Sequence, residues 1–206
     1  GATETGPIAI HTRIGPRARR GPAGTTGKPA LACEARILLD DGREAPPGVA
    51  GEVAVRGPNV LFEYWGNEAA TNEALRDGWF LTGDVGMRDA DGWFFVHDRK
   101  KNMIVSGGEN VYPAEIERVL AEHPAVAECA VVGRPDVRWQ EVPVAFVVAR
   151  PGASLDEAAV LDHLAAHLAR FKLPRSVLFA PELPKNALGK VQHFRLRELA
   201  AGTRPD

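Results

Sequence analysis

The stretch Leu183–Lys190, LPKNALGK, ends in a compact cation behind a glycine. An ammonium held that way suits an oxyanion or a phosphate, and a solvated surface turn accounts for it equally well. Asp84, in Thr82-Gly83-Asp84, follows a strand-like run and can accept both hydroxyls of a ribose. Taken alone it reads first as a turn aspartate. Ser106-Gly107-Gly108-Glu109-Asn110 holds paired glycines, which admit positive φ or the close approach of a ligand; a hairpin turn explains them as well. GPAGTTGKPA, residues 21–30, has the look of a phosphate cradle. A phosphate loop of the form G-x-x-x-x-G-K-S/T needs another glycine spacing and a hydroxyl after the lysine, whereas Lys28 is followed by Pro29. On chemistry alone it is a plain loop.

Two further groups read as surface. Arg13, Arg17, Arg19 and Arg20 form a basic run, but no aromatic residue interleaves for base stacking, so a solvated loop is expected. His163 and His167 stand one helical turn apart, as metal ligands can, with no zincin glutamate and no third ligand in view; they lie off the apolar stripe and are assigned to an exposed face.

The elements that must position these groups differ between the two halves. Residues 1 to about 97 are rich in Gly, Pro and short alternating runs, and the turn signals DDG (40–42) and DADG (89–92) predict β-hairpins. One helix, NEAATNEALRDG, interrupts them, closed by Gly78. Beyond Asp98 helical and strand periods alternate. Pro113 opens a helix that buries Ile116, Val119 and Leu120. VAECAVVG, VPVAFVVA and RSVLFAP are strands, and FRLRELAA is a last short helix. SLDEAAVLDHLAAHLARF starts with a Ser154/Glu157 capping box and buries Leu161, Leu164, Leu168 and Phe171. The class is α+β.

At 206 residues, with 45% hydrophobic and 25% charged residues, the chain can bury a core without metal or disulfide staples. A net charge of -2 argues against a nucleic-acid binder. Cys33 and Cys129 cannot build a disulfide framework, and as buried thiols they fit a reducing cytoplasm. The longest apolar run, Val142–Ala149, is far short of the ~20 residues of a membrane span. The chain starts at Gly1 without a methionine, which is read as the mark of a fragment.

Single signals are weak, but their order is specific. GATETG, then GWFLTGDVGMRDADGWFFVHDRKKNMIVSGGENVYPAEIE, then LPKNALGKVQHFRLRE together resemble the acyl-adenylate-forming, AMP-binding enzymes, in particular their acyl-CoA synthetase branch. The resemblance covers essentially the whole chain. It implies that residues 1–97 are the β-rich, distorted barrel-like end of a large adenylating domain. Residues 98–206 would be the small α+β domain, its central sheet flanked by helices, with the hinge at Asp98. The family's own phosphate loop would precede Gly1, with most of the acyl pocket, so GTTGKPA is a decoy.

What the resemblance implies in chemistry is a carboxylic acid activated by ATP to an acyl adenylate, then transferred to coenzyme A. Lys190 matches the catalytic lysine; Glu4 would hold Mg²⁺ and Thr3 would touch phosphate. Asp84 would take the ribose diol, Arg99 would approach the ribose from the hinge, and Gly107 and Gly108 would line the pantetheine tunnel. Acetylation of a lysine in PKNALGK would switch the reaction off. The hinge text DRKKNMIV favours CoA over a carrier protein as acceptor. Loading of a carrier protein, luciferase-like oxidation, and a bare nucleotide- or CoA-binding fragment are the alternatives. Fatty, aromatic and dicarboxylic acids fit these motifs equally.

Overall fold

Short alternating runs punctuated by Gly and Pro fold in the first half as antiparallel strands. The computed structural model describes residues 1–12 and 21–202, so Arg13, Arg17, Arg19 and Arg20 lie outside the described residues. Two units divide the chain between Lys101 and Asn102.

In the first unit, β1 (Ile10–His11) pairs with β2 (Lys28–Pro29). A separate sheet is built from β3 (Glu34–Leu38), β4 (Gly51–Arg56), β5 (Leu75–Arg76), β6 (Trp79–Arg88) and β7 (Phe94–Arg99). β4 lies between β3 and β6, and β5 and β7 share the far edge of β6. Among the described residues this sheet does not close into a barrel. The DADG turn joins β6 to β7 as its residues predict: Asp89 accepts the Trp93 amide at 2.8 Å. Ile37, Val53, Val55 and Phe94 make the core.

Helix α1 spans Glu68–Ala74, capped by Asn67 Oδ1 accepting the Ala70 amide at 3.1 Å. It ends before Gly78, contrary to expectation, because Leu75 and Arg76 turn extended to pair with Phe80 and Trp79.

The second unit holds β8 (Ile104–Ser106), β9 (Glu109–Val111), α2 (Pro113–Ala121), β10 (Val126–Asp136), β11 (Gln140–Ala149), α3 (Glu157–Ala165), β12 (Ser176–Phe179) and α4 (His193–Gly202). β10 and β11 form a long hairpin, and β12 runs parallel to β11 on its other edge. Alternate residues of β10 face opposite ways. Val131 packs with Ile116, Leu120 and Leu164 of α2 and α3, while Ala130 and Val132 pack with Leu196 and Ala200 of α4. Helices on both faces explain why β11 reads as one unbroken apolar run.

Two expectations for α3 fail locally. Its cap is Asp156, whose carboxylate accepts the Ala159 amide at 2.8 Å; Glu157 instead accepts the Val177 amide of β12. The helix ends at Ala165, so Leu164 is fully buried, Leu168 only partly, and Phe171 is exposed in a 3₁₀ turn, Arg170–Lys172. His163 also departs from the exposed face assigned to it: half-buried, it donates from Nε2 to the Val119 carbonyl at 2.9 Å. Among the described residues no helix is long and apolar enough to cross a membrane.

Leu164, with no exposed surface, joins α3 to the sheet through packing alone. Leu164→Ala is expected to lower the stability of this unit by about 2–5 kcal/mol. Urea unfolding followed through β10 and β11 amide signals measures it; a loss below about 1 kcal/mol would contradict the packing described.

Candidate active site

Residues 21–30 do not form an anion cradle. Lys28 Nζ donates to the Asp91 carbonyl at 2.6 Å and lies 4.8 Å from the Trp93 ring centroid. The Thr25 hydroxyl donates to the Phe94 carbonyl at 2.8 Å, stitching the segment to β7.

A charged constellation instead gathers where β6 meets the end of β7. The register sets Asp84 opposite Arg99. Arg99 Nε stands 2.9 Å from Asp84 Oδ1, and its Nη1 donates to the Thr82 carbonyl at 3.1 Å. Thr82 braces the bend, donating to the Val53 carbonyl and accepting the Asp84 amide. Burial pushes the Asp84 carboxyl above its ordinary range, and the Arg99 cation opposes that shift. Asp98 accepts the Arg99 amide at 2.6 Å, which fixes the backbone at the end of β7. Lys100 Nζ reaches Asp40 at 3.1 Å and Glu52 at 3.2 Å, and the Asp40 hydrogen bond is the main cause raising its pKa. Glu52 also accepts the Gly83 amide at 3.0 Å, tying this lysine to the backbone beside Asp84.

Arg99 opens onto a cleft of about 690 Å³ whose walls include Glu4, Tyr64, Thr82 and Lys100. Glu4 sits in a 3₁₀ turn, Thr3–Thr5, and its Oε1 accepts the Tyr64 hydroxyl at 3.1 Å. Tyr64 is itself held by the Thr71 hydroxyl, which accepts its amide at 2.9 Å. Thr3 is exposed beside the cleft wall and Asp84 lies behind Arg99; neither lines the cleft. Among the described residues no group of three His, Cys, Asp or Glu could hold a metal.

In the second unit, Gly107 and Gly108 form the two-residue turn between β8 and β9, at φ 61° and 87°. The Gly107 amide donates to the Trp139 carbonyl at 2.9 Å, and a Cβ there would lie 2.7 Å from the Trp139 ring. Trp139 stands at the tip of the β10–β11 hairpin, where Asp136 accepts its amide at 2.9 Å. Arg138 and Arg175 lie 4.8 and 5.4 Å from its ring. Gly107, Trp139 and Arg175 border a cleft of about 660 Å³, together with Arg170 and Phe171. The PKNALGK segment belongs to the same unit, apart from that cleft. Lys185 is tied to Glu128 of β10 at 2.7 Å, whereas Lys190 is exposed, and among the described residues its ammonium meets no carboxylate.

The fold thus joins Glu4, Asp84, Asp98 and Arg99 in one unit and Gly107, Gly108 and Lys190 in the other. Tyr64, Glu52, Lys100, Trp139 and Arg175 were missed. Tyr64 gives no local signal, because its partner is Glu4, distant in sequence. Arg138-Trp139 was legible as an arginine-tryptophan pair between two strands.

Comparison with known proteins identifies the family. The AMP-binding enzyme family matches residues 1–65, and the AMP-binding enzyme C-terminal domain matches residues 115–190. Indoleacetate–CoA ligase of Aromatoleum aromaticum is 51% identical over 201 residues, covering 98% of this chain and 39% of its own length. The structure of ATP-bound MatB from Rhodopseudomonas palustris superposes with a TM-score of 0.86 at 40% identity, covering 97% of this chain and 39% of that one. The o-succinylbenzoate CoA synthetase MenE of Bacillus subtilis, in complex with AMP, gives 0.87 at 36%, covering 99% and 41%. The chain therefore spans 39% of the length of the indoleacetate relative.

The Asp84–Arg99 pair has a titration signature. The Asp84 carboxyl is expected to titrate above the ordinary value of about 3.9. Arg99→Ala, by removing the cation that opposes burial, is expected to move its midpoint higher still. Carbon-detected NMR of the carboxyl follows both; an unchanged or lower midpoint in Arg99→Ala would rule out the pairing.

Proposed function

Because the chain belongs to the acyl-adenylate-forming AMP-binding enzymes, we propose that the protein carrying it is an ATP-dependent acyl-CoA synthetase. The observation that carries this reading is the first-unit cleft, where Glu4 and the Asp84-paired Arg99 converge.

In the first half-reaction a carboxylate oxygen attacks the α-phosphorus of ATP, and the bond to the bridging oxygen of the departing pyrophosphate breaks. The carboxylate is already a nucleophile, so no general base is required. What the reaction needs is positive charge where anions meet. Lys190, the member of PKNALGK without an ion-pair partner among the described residues, is assigned to bridge carboxylate and α-phosphate oxygens. Acetylation would neutralise it and stop this step. Asp84 accepts from the ribose hydroxyls, Arg99 approaches the same sugar, and Thr3 touches phosphate. Glu4 would hold Mg²⁺, which when bound screens the charge on the phosphates. A carboxylate held by Tyr64, with no group of three metal-capable side chains among the described residues, suits a cation that takes most of its oxygens from phosphate and water.

In the second half-reaction the CoA thiol loses its proton, sulfur bonds to the acyl carbon, and the carbon–oxygen bond to AMP breaks. The Gly107–Gly108 turn is assigned to the pantetheine passage, since glycines leave a narrow channel open. The cleft beside it supports CoA as acceptor: Trp139 forms part of its wall, and Arg170 and Arg175 offer cations for the phosphates. With Asp98 as hinge, the small domain (98–206) moves against the large one (1–97) and serves both reactions at one acyl site. The unpaired Cys33 and Cys129 support a cytoplasmic setting.

Full-length enzyme with ATP, Mg²⁺ and a panel of carboxylic acids, with and without CoA, tests the reading by mass spectrometry. Acyl-CoA formed only when CoA is present is expected, with AMP released. Adenylate that accumulates and never reaches CoA would reassign the acceptor to a carrier protein.

A further inference from the structure

Lys190 is an exposed side chain on a flexible stem, so its position depends on the backbone that carries it. That backbone is a small closed loop. Its base is the bridge between Lys185 and Val191, secured by the Gln192 amide donating to the Pro184 carbonyl at 2.8 Å. Leu183 is buried beneath it and Lys185 is paired with Glu128, so the base is anchored to β10.

The closing end of the loop is organised by one residue. Asn186 Oδ1 accepts the Leu188 amide at 3.0 Å and the Lys190 amide at 2.9 Å. Its own amide donates to the Lys190 carbonyl at 2.9 Å, and its carbonyl accepts the Gly189 amide at 2.9 Å. Both peptide groups of Lys190 are thus bonded to Asn186. Gly189, at φ 77°, supplies the reversal that turns the Lys190 amide back toward it. Ala187 and Leu188 are exposed and lend no side-chain polar atom to the loop.

We propose that Asn186 is a positioning residue for adenylation: its side-chain oxygen fixes the loop from which Lys190 reaches the reacting oxygens. The inference rests on the assignment of Lys190 as the adenylating cation. Oδ1 is the only side-chain acceptor, among the described residues, that holds the loop's amides. Without it two amides turn to water, and the loop keeps only its backbone bonds. Lys190 retains its charge but loses its register, so the loss appears in the rate of the step that uses it. Transfer to CoA is assigned to the Gly107–Gly108 turn and not to this loop.

The test uses full-length enzyme with Asn186→Leu, which keeps the bulk without the acceptor, and Asn186→Asp, which keeps the acceptor. Lys190→Ala is run alongside. Asn186→Leu is expected to lower kcat for adenylate formation by about 10- to 100-fold, with KM for ATP and acid within about twofold. Transfer to CoA from supplied acyl adenylate is expected to stay within about twofold, and Asn186→Asp to recover most of the lost rate. Amide exchange at Leu188 and Lys190 is expected to quicken in Asn186→Leu and not in Asn186→Asp. Adenylation kept within about twofold in Asn186→Leu, or both half-reactions lost equally in both variants, would overturn the proposal. If Lys190→Ala itself leaves adenylation intact, the assignment of Lys190 falls and the role of Asn186 falls with it.

Discussion

One cross-strand pair sets the corner of the first unit where β6 meets the end of β7. Arg99 is the last residue of β7, and its bond to Asp84 joins the end of the sheet to the place where the chain leaves it. An exposed ion pair would contribute little. This one is different on the Asp84 side, where burial raises the carboxyl pKa and the guanidinium opposes that shift. Thr82, Glu52 and Lys100 brace the backbone of the same corner, while the Asp84 carboxylate itself is held by Arg99.

The second unit solves a different problem. On the proposed reading it presents Lys190 as a cation not spent on a neighbouring carboxylate and the Gly107–Gly108 turn as a channel wall. Lys185 and Lys190 are five positions apart in sequence, yet only Lys185 is tied to a carboxylate among the described residues. The Gly107–Gly108 turn lies against Trp139 so closely that a methyl group at Gly107 would strike the ring. Both features belong to loops supported by the same long hairpin of β10 and β11. Its apolar residues are covered on both faces, which makes it a stiff base for groups that must be placed to fractions of an ångström.

Much of this was legible in the residues, for physical reasons. Asp89 and Gly92 specify the tight turn between β6 and β7 through local hydrogen bonds, so the hairpin follows from four residues. Ile116, Val119 and Leu120 mark the buried face of α2 by period alone. The failures were tertiary. Ser154 and Asp156 are both able caps, and the choice went to Asp156 because Glu157 is drawn off to the amide of Val177. Phe171 follows the helical period but leaves the core, since Lys172 pairs with Glu115 at 2.7 Å and turns the chain outward. His163 looked solvated and instead meets the Val119 carbonyl of α2. The groups most useful for the site divide the same way: Asp84, Arg99 and Lys190 stand in an ordered series of motifs, while Tyr64 owes its place to a distant turn around Glu4.

The central claim is that the second unit carries the determinants of two separable half-reactions, a cation for adenylation and a glycine turn for thioester formation. The most direct measurement is single-turnover kinetics of each half-reaction in Lys190→Ala and Gly108→Ala full-length enzymes. A Cβ at Gly108 meets nothing within 4 Å in this unit and would enter the assigned passage, although its backbone at φ 87° is strained for alanine. Lys190→Ala is expected to slow adenylate formation by at least about 100-fold while transfer to CoA stays within about threefold. Gly108→Ala is expected to show the opposite pattern. Both variants losing the same half-reaction would contradict the division of labour between the two loops.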